Sequence, residues 1–338
     1  MKNIFLFTGE ESYLIHEQIS GWKKAFVEKH GDINFAALDS GEIPINDIIL
    51  QTEAMPFLGD KRLIFIYGLP DAPKTRNAGK VTNKDEKREL DLEKLEKALD
   101  DIPETTIMVF VQSKPDKRKS FYKNLVKKAE LKEFKQLQGS DLIKWVQKMT
   151  KQKGNNISSS DAEFLIGLAG SDLWRLSHEI EKITSYADEK EIDKKIINHL
   201  VIPTLEANIF HFTDALGAKN HKTAIQDLHK IISSGDSLCQ VFYMIVRQFR
   251  LLLQVGGYTE LNPSASSATI ASMLKIHPFV AKNTLTQSRH FKISELKKAY
   301  QSLLDIDIAL KTSTIRITTS NQEELALAIE QFILSFCS

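Results

Sequence analysis

Cysteine is scarce in this chain: Cys239 and Cys337 are its two cysteines among 338 residues, and they lie far apart. Without a Cys-x-x-Cys pair, a zinc ribbon or a disulfide framework is not expected. Long apolar runs are absent too. Ile4 to Phe7 is too short for the core of a signal peptide, and no run approaches the ~20 residues that a membrane span needs. We therefore expect a soluble cytoplasmic protein.

The chain also lacks an excess of charge of either sign. It has 45 basic and 44 acidic residues, for a net charge of +1. A domain that holds DNA by general electrostatics is usually more basic, so any nucleic-acid contact is local or shared with partners. The apolar share of 42% is typical of a globular protein, and the length suggests two or three domains.

The first third of the sequence alternates strand-like and helix-like segments. Continuous apolar strands are typical of parallel sheets that are covered on both faces. The pattern predicts an α/β domain with an open parallel sheet and helices on both sides, and it predicts an exposed loop over 71–91 that enters a helix. The predicted strands are Ile4 to Phe7, Phe35 to Leu38, Arg62 to Tyr67, Thr105 to Val111 and Leu131 to Phe134.

The rest of the chain, after Gly139, is helical by its periodicity and capping residues. A small helical domain ends near Pro203, and long amphipathic stretches continue to the end of the chain. Gly256-Gly257 and Asn262-Pro263-Ser264 are predicted to form a loop.

One nucleotide-binding-like domain followed by helical domains is the order of an AAA+ ATPase, but the residues for ATP chemistry are missing. A P-loop needs glycines and a Lys-Ser/Thr pair after the first strand. Residues 9–16 offer one glycine, no lysine and the carboxylates of Glu10 and Glu11. Gly79-Lys80-Val81 lacks the hydroxyl. His178 to Lys182 has a lysine where a zinc-protease helix needs its second histidine. We predict no catalytic, cofactor-binding or metal-binding residues.

A cluster of large apolar residues precedes the third strand, in the segment Ala54-Met55-Pro56-Phe57-Leu58-Gly59-Asp60-Lys61-Arg62. Composition alone favours a loop plug in which Phe57 and Leu58 tuck under the sheet, since exposed apolar clusters are uncommon on monomers. The other interpretation is an apolar wedge at a tip, aimed at a pocket on a partner.

Several short motifs in order resemble the delta subunit family of the bacterial DNA polymerase III clamp loader. The resemblance covers nearly the whole length. The motifs are Thr8-Gly9-Glu10-Glu11-Ser12-Tyr13-Leu14, Pro56-Phe57-Leu58-Gly59-Asp60-Lys61-Arg62-Leu63, Lys114-Pro115-Asp116-Lys117-Arg118, Glu179-Ile180-Glu181-Lys182-Ile183, Asn208-Ile209-Phe210, Arg247-Gln248-Phe249-Arg250, His277-Pro278-Phe279-Val280-Ala281 and Asp307-Ile308-Ala309-Leu310-Lys311-Thr312.

The resemblance implies three domains: a RecA-like AAA+ domain over 1–139 without a working P-loop, a helical lid over 140–204 and a helical collar over 205–338. It implies a subunit that binds and opens the sliding clamp, the beta subunit, through Phe57 and Leu58, with Met55 as a possible third contact. The family order of the two wedge residues is Leu-Phe, so their roles here are expected to be exchanged.

The partners that the resemblance implies are the clamp, the gamma/tau motor and delta-prime subunits through the collar, and primed DNA without sequence specificity. No membrane is involved. Two alternatives stay open from the sequence: a divergent AAA+ ATPase, and a purely structural ring subunit that never touches the clamp.

Overall fold

The structure is a computed structural model that describes residues 3–70, 83–188, 191–318 and 322–337. The chain forms two compact units, Met1–Leu137 and Gln138–Ser338. The predicted division of the second unit into a lid and a collar stays a prediction. The loop predicted over 71–91 is wrong from residue 83 onward, where the helix Asn83–Ala98 already begins. Its first part, 71–82, which includes Gly79-Lys80-Val81, lies outside the described residues.

The first unit is built on a sheet of five parallel strands in the order β2-β3-β4-β1-β5, which confirms the predicted α/β class. Ile4 pairs with Met108 on one side of β1, and Phe5 pairs with Glu130 on the other. The strands are β1 Ile4–Gly9, β2 Phe35–Asp39, β3 Arg62–Tyr67, β4 Thr106–Val111 and β5 Glu130–Phe134.

Helices cover both faces of this sheet, which explains why the four central residues of β3 are all apolar. Leu63 and Phe65 pack on the side of α1, whereas Ile64 and Ile66 pack on the side of α2, α3 and α4. All four side chains are buried, since successive side chains of a strand point to opposite faces. The helices are α1 Ser12–His30, the 3-10 turn Asp32–Asn34, α2 Ile45–Glu53, α3 Asn83–Ala98 and α4 Ser120–Lys128.

The second unit is helical, and side-chain caps start several of its helices. Ser158, Asp172 and Asp193 each accept a hydrogen bond from the backbone N–H three residues later, which satisfies an otherwise unpaired donor. The helices are α5 Ser140–Gln152, α6 Ser159–Ala169, α7 Leu173–Ala187, α8 Lys194–Leu200, α9 Leu205–Gly217, α10 His221–Ser233, α11 Leu238–Leu261, α12 Ser267–Leu274, α13 Pro278–Ser288, α14 Ile293–Lys311 and α15 Glu323–Cys337.

The loop predicted in the second unit is wrong at Gly256-Gly257 and correct at Asn262-Pro263-Ser264. α11 continues through Gly256-Gly257 instead of ending in a loop there, because Gly256 is a contact point between helices: a Cβ on it would lie 2.7 Å from Ile293 Cδ1. The short helix α12, which follows that loop, was not predicted from the sequence. No helix in the described ranges is long and apolar enough to cross a membrane.

Candidate functional site

The carboxyl ends of β1 and β4 form the edge where an α/β fold of this kind binds ligands. β1 continues into α1 on one face of the sheet and β4 into α4 on the other, which opens a crevice between them. Here β1 ends at Gly9 and α1 begins at Ser12, so the connection consists of Glu10 and Glu11.

This connection uses its backbone within the protein. The Gly9 N–H donates to the carbonyl of Ser113 at 3.0 Å, and the Glu11 N–H donates to the carbonyl of Phe134 at 3.1 Å. A phosphate-binding loop keeps such N–H groups free for its ligand. The Glu10 carboxylate forms an ion pair with Lys114 Nζ at 3.5 Å at the same edge.

The apolar segment identified in the sequence lies at the opposite side of the sheet, where the amino ends of the strands are. We name residues 54–61 the apolar loop; it links the end of α2 to the start of β3. Its large side chains face solvent: Met55 is 78% exposed, Phe57 58% and Leu58 93%. Phe57 and Leu58 therefore do not tuck under the sheet, and the plug interpretation is wrong.

Asn34, which the sequence reasoning missed, holds the apolar loop from beneath. Its side chain is 1% exposed, and its Oδ1 accepts from the Phe57 N–H at 2.6 Å while Nδ2 donates to the Phe57 carbonyl at 2.9 Å. The signal that could have found it is the pairing of β2 with β3, in which Phe35 lies opposite Leu63. That register brings the residues before β2 beside those before β3.

The end of the apolar loop is fixed by two further side chains. Lys61 Nζ donates to the carbonyl of Glu104 at 2.7 Å, and the Arg62 guanidinium donates to the side chain of Gln51 on α2. Leu58 has a left-handed backbone with a φ of 48°, a conformation that is costly for a residue with a Cβ. The result is a tethered loop with outward apolar side chains.

Metal-ligating side chains do not gather anywhere in the described ranges. Lys182, the residue that replaces the second histidine of a zinc motif, instead pairs with Glu179 at 2.6 Å on α7. This i,i+3 ion pair is ordinary for neighbouring residues on one helix face.

Two family models match the chain, and together they span most of it. The model of the DNA polymerase III delta subunit matches residues 5–135, and the model of the C-terminal domain of that subunit matches residues 206–335. The chain belongs to the family of DNA polymerase III delta subunits.

Relatives of this family support the assignment over the whole length. The DNA polymerase III subunit delta of Bacillus subtilis is 27% identical over 337 residues, which cover 98% of this chain and 92% of the relative. A probable DNA polymerase III subunit delta of Aquifex aeolicus is 27% identical over 251 residues, 72% of this chain and 68% of that protein.

A solved structure supports the fold. The Bacillus subtilis DNA clamp loader delta protein superposes with a TM-score of 0.65 at 25% identity, and the match covers 99% of this chain and 95% of that one. The predicted membership of the delta subunit family and the predicted fold class are thereby confirmed.

Proposed function

We propose that this chain is the non-catalytic clamp-loader subunit that binds the sliding clamp and opens its ring. Membership of the delta family supports the role, and the exposure of the apolar loop supports its location. Met55, Phe57 and Leu58 are the contact residues. The observation that carries the proposal is that three large apolar side chains project from a loop whose backbone is hydrogen-bonded to the fold.

The energetics of the apolar loop fit a docking element. Burying a Phe or Leu side chain contributes roughly 1.5–3 kcal/mol, so Phe57 and Leu58 together supply several kcal/mol of binding. Binding alone does not open a ring, since a ligand shifts an equilibrium only by its differential affinity for the two states. The loop must therefore bind the open clamp more tightly than the closed one.

Calorimetric titration of the purified clamp into the full chain tests the binding surface. The double variant Phe57→Ala/Leu58→Ala is expected to lose clamp affinity by at least about a hundredfold. Leu261→Ala is the matched control, because Leu261 is also exposed but lies in the second unit; it should bind as wild type. Unchanged affinity in the double variant, with normal helicity, would reject the assignment.

We further propose that the chain hydrolyses no ATP and that its first domain is an AAA+ domain without a working P-loop. The internal hydrogen bonds of Gly9 and Glu11 support this, since those N–H groups are already used within the protein and do not point at a phosphate. The missing lysine of a P-loop in residues 9–16 supports it too. Titration of a fluorescent ATP analogue with magnesium tests it. We expect no saturable binding; micromolar binding would favour the alternative of a divergent ATPase.

The second unit is proposed to carry the lid over 140–204 and the collar over 205–338, the latter joining the gamma/tau motor and delta-prime subunits in the cytoplasm. Exposed Leu304 and Ile308, one turn apart on α14, support an unfilled contact surface there.

Primed DNA is held by the assembled clamp-loader complex. Reconstitution with those subunits should give one complex; failure to assemble would contradict this.

A further inference from the structure

The apolar loop is not held in place by its own large side chains. Met55, Phe57 and Leu58 are all more than half exposed, so hydrophobic packing of these side chains contributes little to fixing the course of the backbone. A loop of this kind is mobile unless hydrogen bonds order it, and an ordered conformation then depends on the groups that make those bonds.

The carboxamide of Asn34 supplies such bonds at the centre of the loop. It pairs with both backbone groups of Phe57, accepting from the N–H at 2.6 Å and donating to the carbonyl at 2.9 Å, and its second N–H donates to the carbonyl of His30 at 3.1 Å. One acceptor and both donors are used. A carboxylate has no donors, and a hydroxyl is too short to span both groups of Phe57, so the site requires an amide.

Two neighbours of Phe57 show that this backbone conformation needs support. Leu58 adopts a left-handed φ of 48°, which costs roughly 1–2 kcal/mol for a residue with a Cβ. Strain of this kind persists only where the surrounding structure over-determines it. Gly59 lies so close that a Cβ on it would be 2.8 Å from Asn34 Nδ2, so the fit between loop and carboxamide leaves no room for a methyl group.

We propose that Asn34 is a positioning residue for clamp binding, which holds the apolar loop in its binding conformation before the clamp arrives. The inference rests on the proposed function of the loop. A loop that is already ordered loses less conformational entropy on binding, and the saving appears as affinity. Asn34 itself is buried and acts through the backbone of Phe57.

The first test replaces the carboxamide. Asn34→Ala is expected to raise the dissociation constant for the clamp about tenfold in calorimetry, a change of ~1.4 kcal/mol. Hydrogen exchange of the free protein should become faster at the Phe57 amide and across 54–61, while β3 stays protected. Wild-type affinity or wild-type exchange in this variant would overturn the proposal.

A buried amide in the other unit separates positioning from general destabilisation. Gln248 is buried and donates to Gln287 Oε1 at 2.7 Å, so Gln248→Ala also removes a buried hydrogen bond. Clamp affinity should stay at the wild-type value in this control. An equal loss of affinity in Gln248→Ala and Asn34→Ala would contradict the proposal.

A double-mutant cycle tests the contact itself. Gly59 does not have a left-handed φ, so Gly59→Ala acts through the contact of its new methyl group with the Asn34 carboxamide. Gly59→Ala should lower clamp affinity several-fold in the wild-type background. In the Asn34→Ala background it should cause no further loss, because the carboxamide that the new methyl group would contact is then absent. Additive losses would contradict the proposal.

The outcomes also separate this inference from the proposed function. Phe57→Ala/Leu58→Ala is measured in parallel. If that variant binds the clamp as wild type, the docking function of the loop fails. If it loses binding while Asn34→Ala keeps it, the loop docks without help from Asn34, and the positioning role alone is rejected.

Discussion

The backbone of Gly9 at the end of β1 lies directly against Phe134 at the end of β5: a Cβ on Gly9 would be 2.0 Å from the Phe134 carbonyl oxygen. Gly9 also has a φ of 127°, a conformation that L residues with a Cβ rarely adopt. A glycine that looks like a remnant of a phosphate-binding loop therefore has a structural reason to be there, namely the close approach of β5.

Gly9→Ala is accordingly expected to destabilise the first unit by at least about 2 kcal/mol, from overpacking and from backbone strain. The free energy of unfolding in urea, followed by circular dichroism, measures the effect. Gly21→Ala is the matched control, since Gly21 lies in α1 with nothing within 4 Å of an added Cβ; it should gain roughly 0.5–1 kcal/mol. A Gly9→Ala variant as stable as wild type would refute the contact.

Leu58→Asn is expected to separate stability from binding. Asparagine tolerates the left-handed region better than leucine does, and Leu58 is almost fully exposed, so its side chain contributes little packing to the free protein. Urea unfolding should show a gain of roughly 0.5–1 kcal/mol, whereas calorimetry should show weaker clamp binding. A variant that loses both stability and binding would mean that Leu58 packs on its own chain.

The centre of the sheet was predictable because its strands β1, β3 and β4 are continuous apolar runs in the sequence. β3 was expected over Arg62 to Tyr67 and has those bounds, since a strand covered on both faces carries a continuous apolar run between its ends. The burial of β3 on both faces can therefore be inferred from its own residues, without knowledge of its tertiary contacts.

The candidate site was predictable only in part, because exposure depends on tertiary contacts. Composition favoured a buried plug for Phe57 and Leu58, yet both are exposed. Asn34 lies 23 residues before Phe57, and only the pairing of β2 with β3 brings them together. Neither the amide contact nor the strained Leu58 leaves a periodic trace that sequence reasoning can detect.

The cap of α13 predicts a pH dependence of the second unit. His277 Nδ1 accepts from the Phe279 N–H at 3.2 Å, which requires an unprotonated nitrogen. Burial lowers the pKa of the His277 imidazole below its ordinary value of 6.5, and Glu206 opposes the shift. As the pH falls below 6.5, the unfolded chain therefore binds more protons at His277 than the folded protein does. The contribution of this group to folding stability is fully present above pH 6.5 and is lost as the pH falls below that value.

His277→Asn tests this because asparagine caps a helix without titrating. Urea unfolding at about pH 7.5 and about pH 5.5 should show a smaller loss of stability toward acid in the variant than in wild type. Equal losses in the two proteins would assign the acid sensitivity to other groups.

Two adjacent glycines in α11 provide the last prediction. Gly257 has nothing within 4 Å of an added Cβ, whereas a Cβ on Gly256 would meet Ile293 Cδ1 on α14 at 2.7 Å. In a continuous helix, Gly257→Ala should therefore gain roughly 0.5–1 kcal/mol from helix propensity. Gly256→Ala should gain less or lose stability, because the Ile293 side chain must move to another rotamer or α14 must shift.

Urea unfolding of the two single variants measures the difference, and circular dichroism reports whether helicity rises with Gly257→Ala. The pair is informative because the two glycines share one helix and differ only in what faces them. If both substitutions changed stability equally, α14 would not approach α11 at Gly256. If both lowered helicity, the loop that the sequence predicts at this position would be the better description.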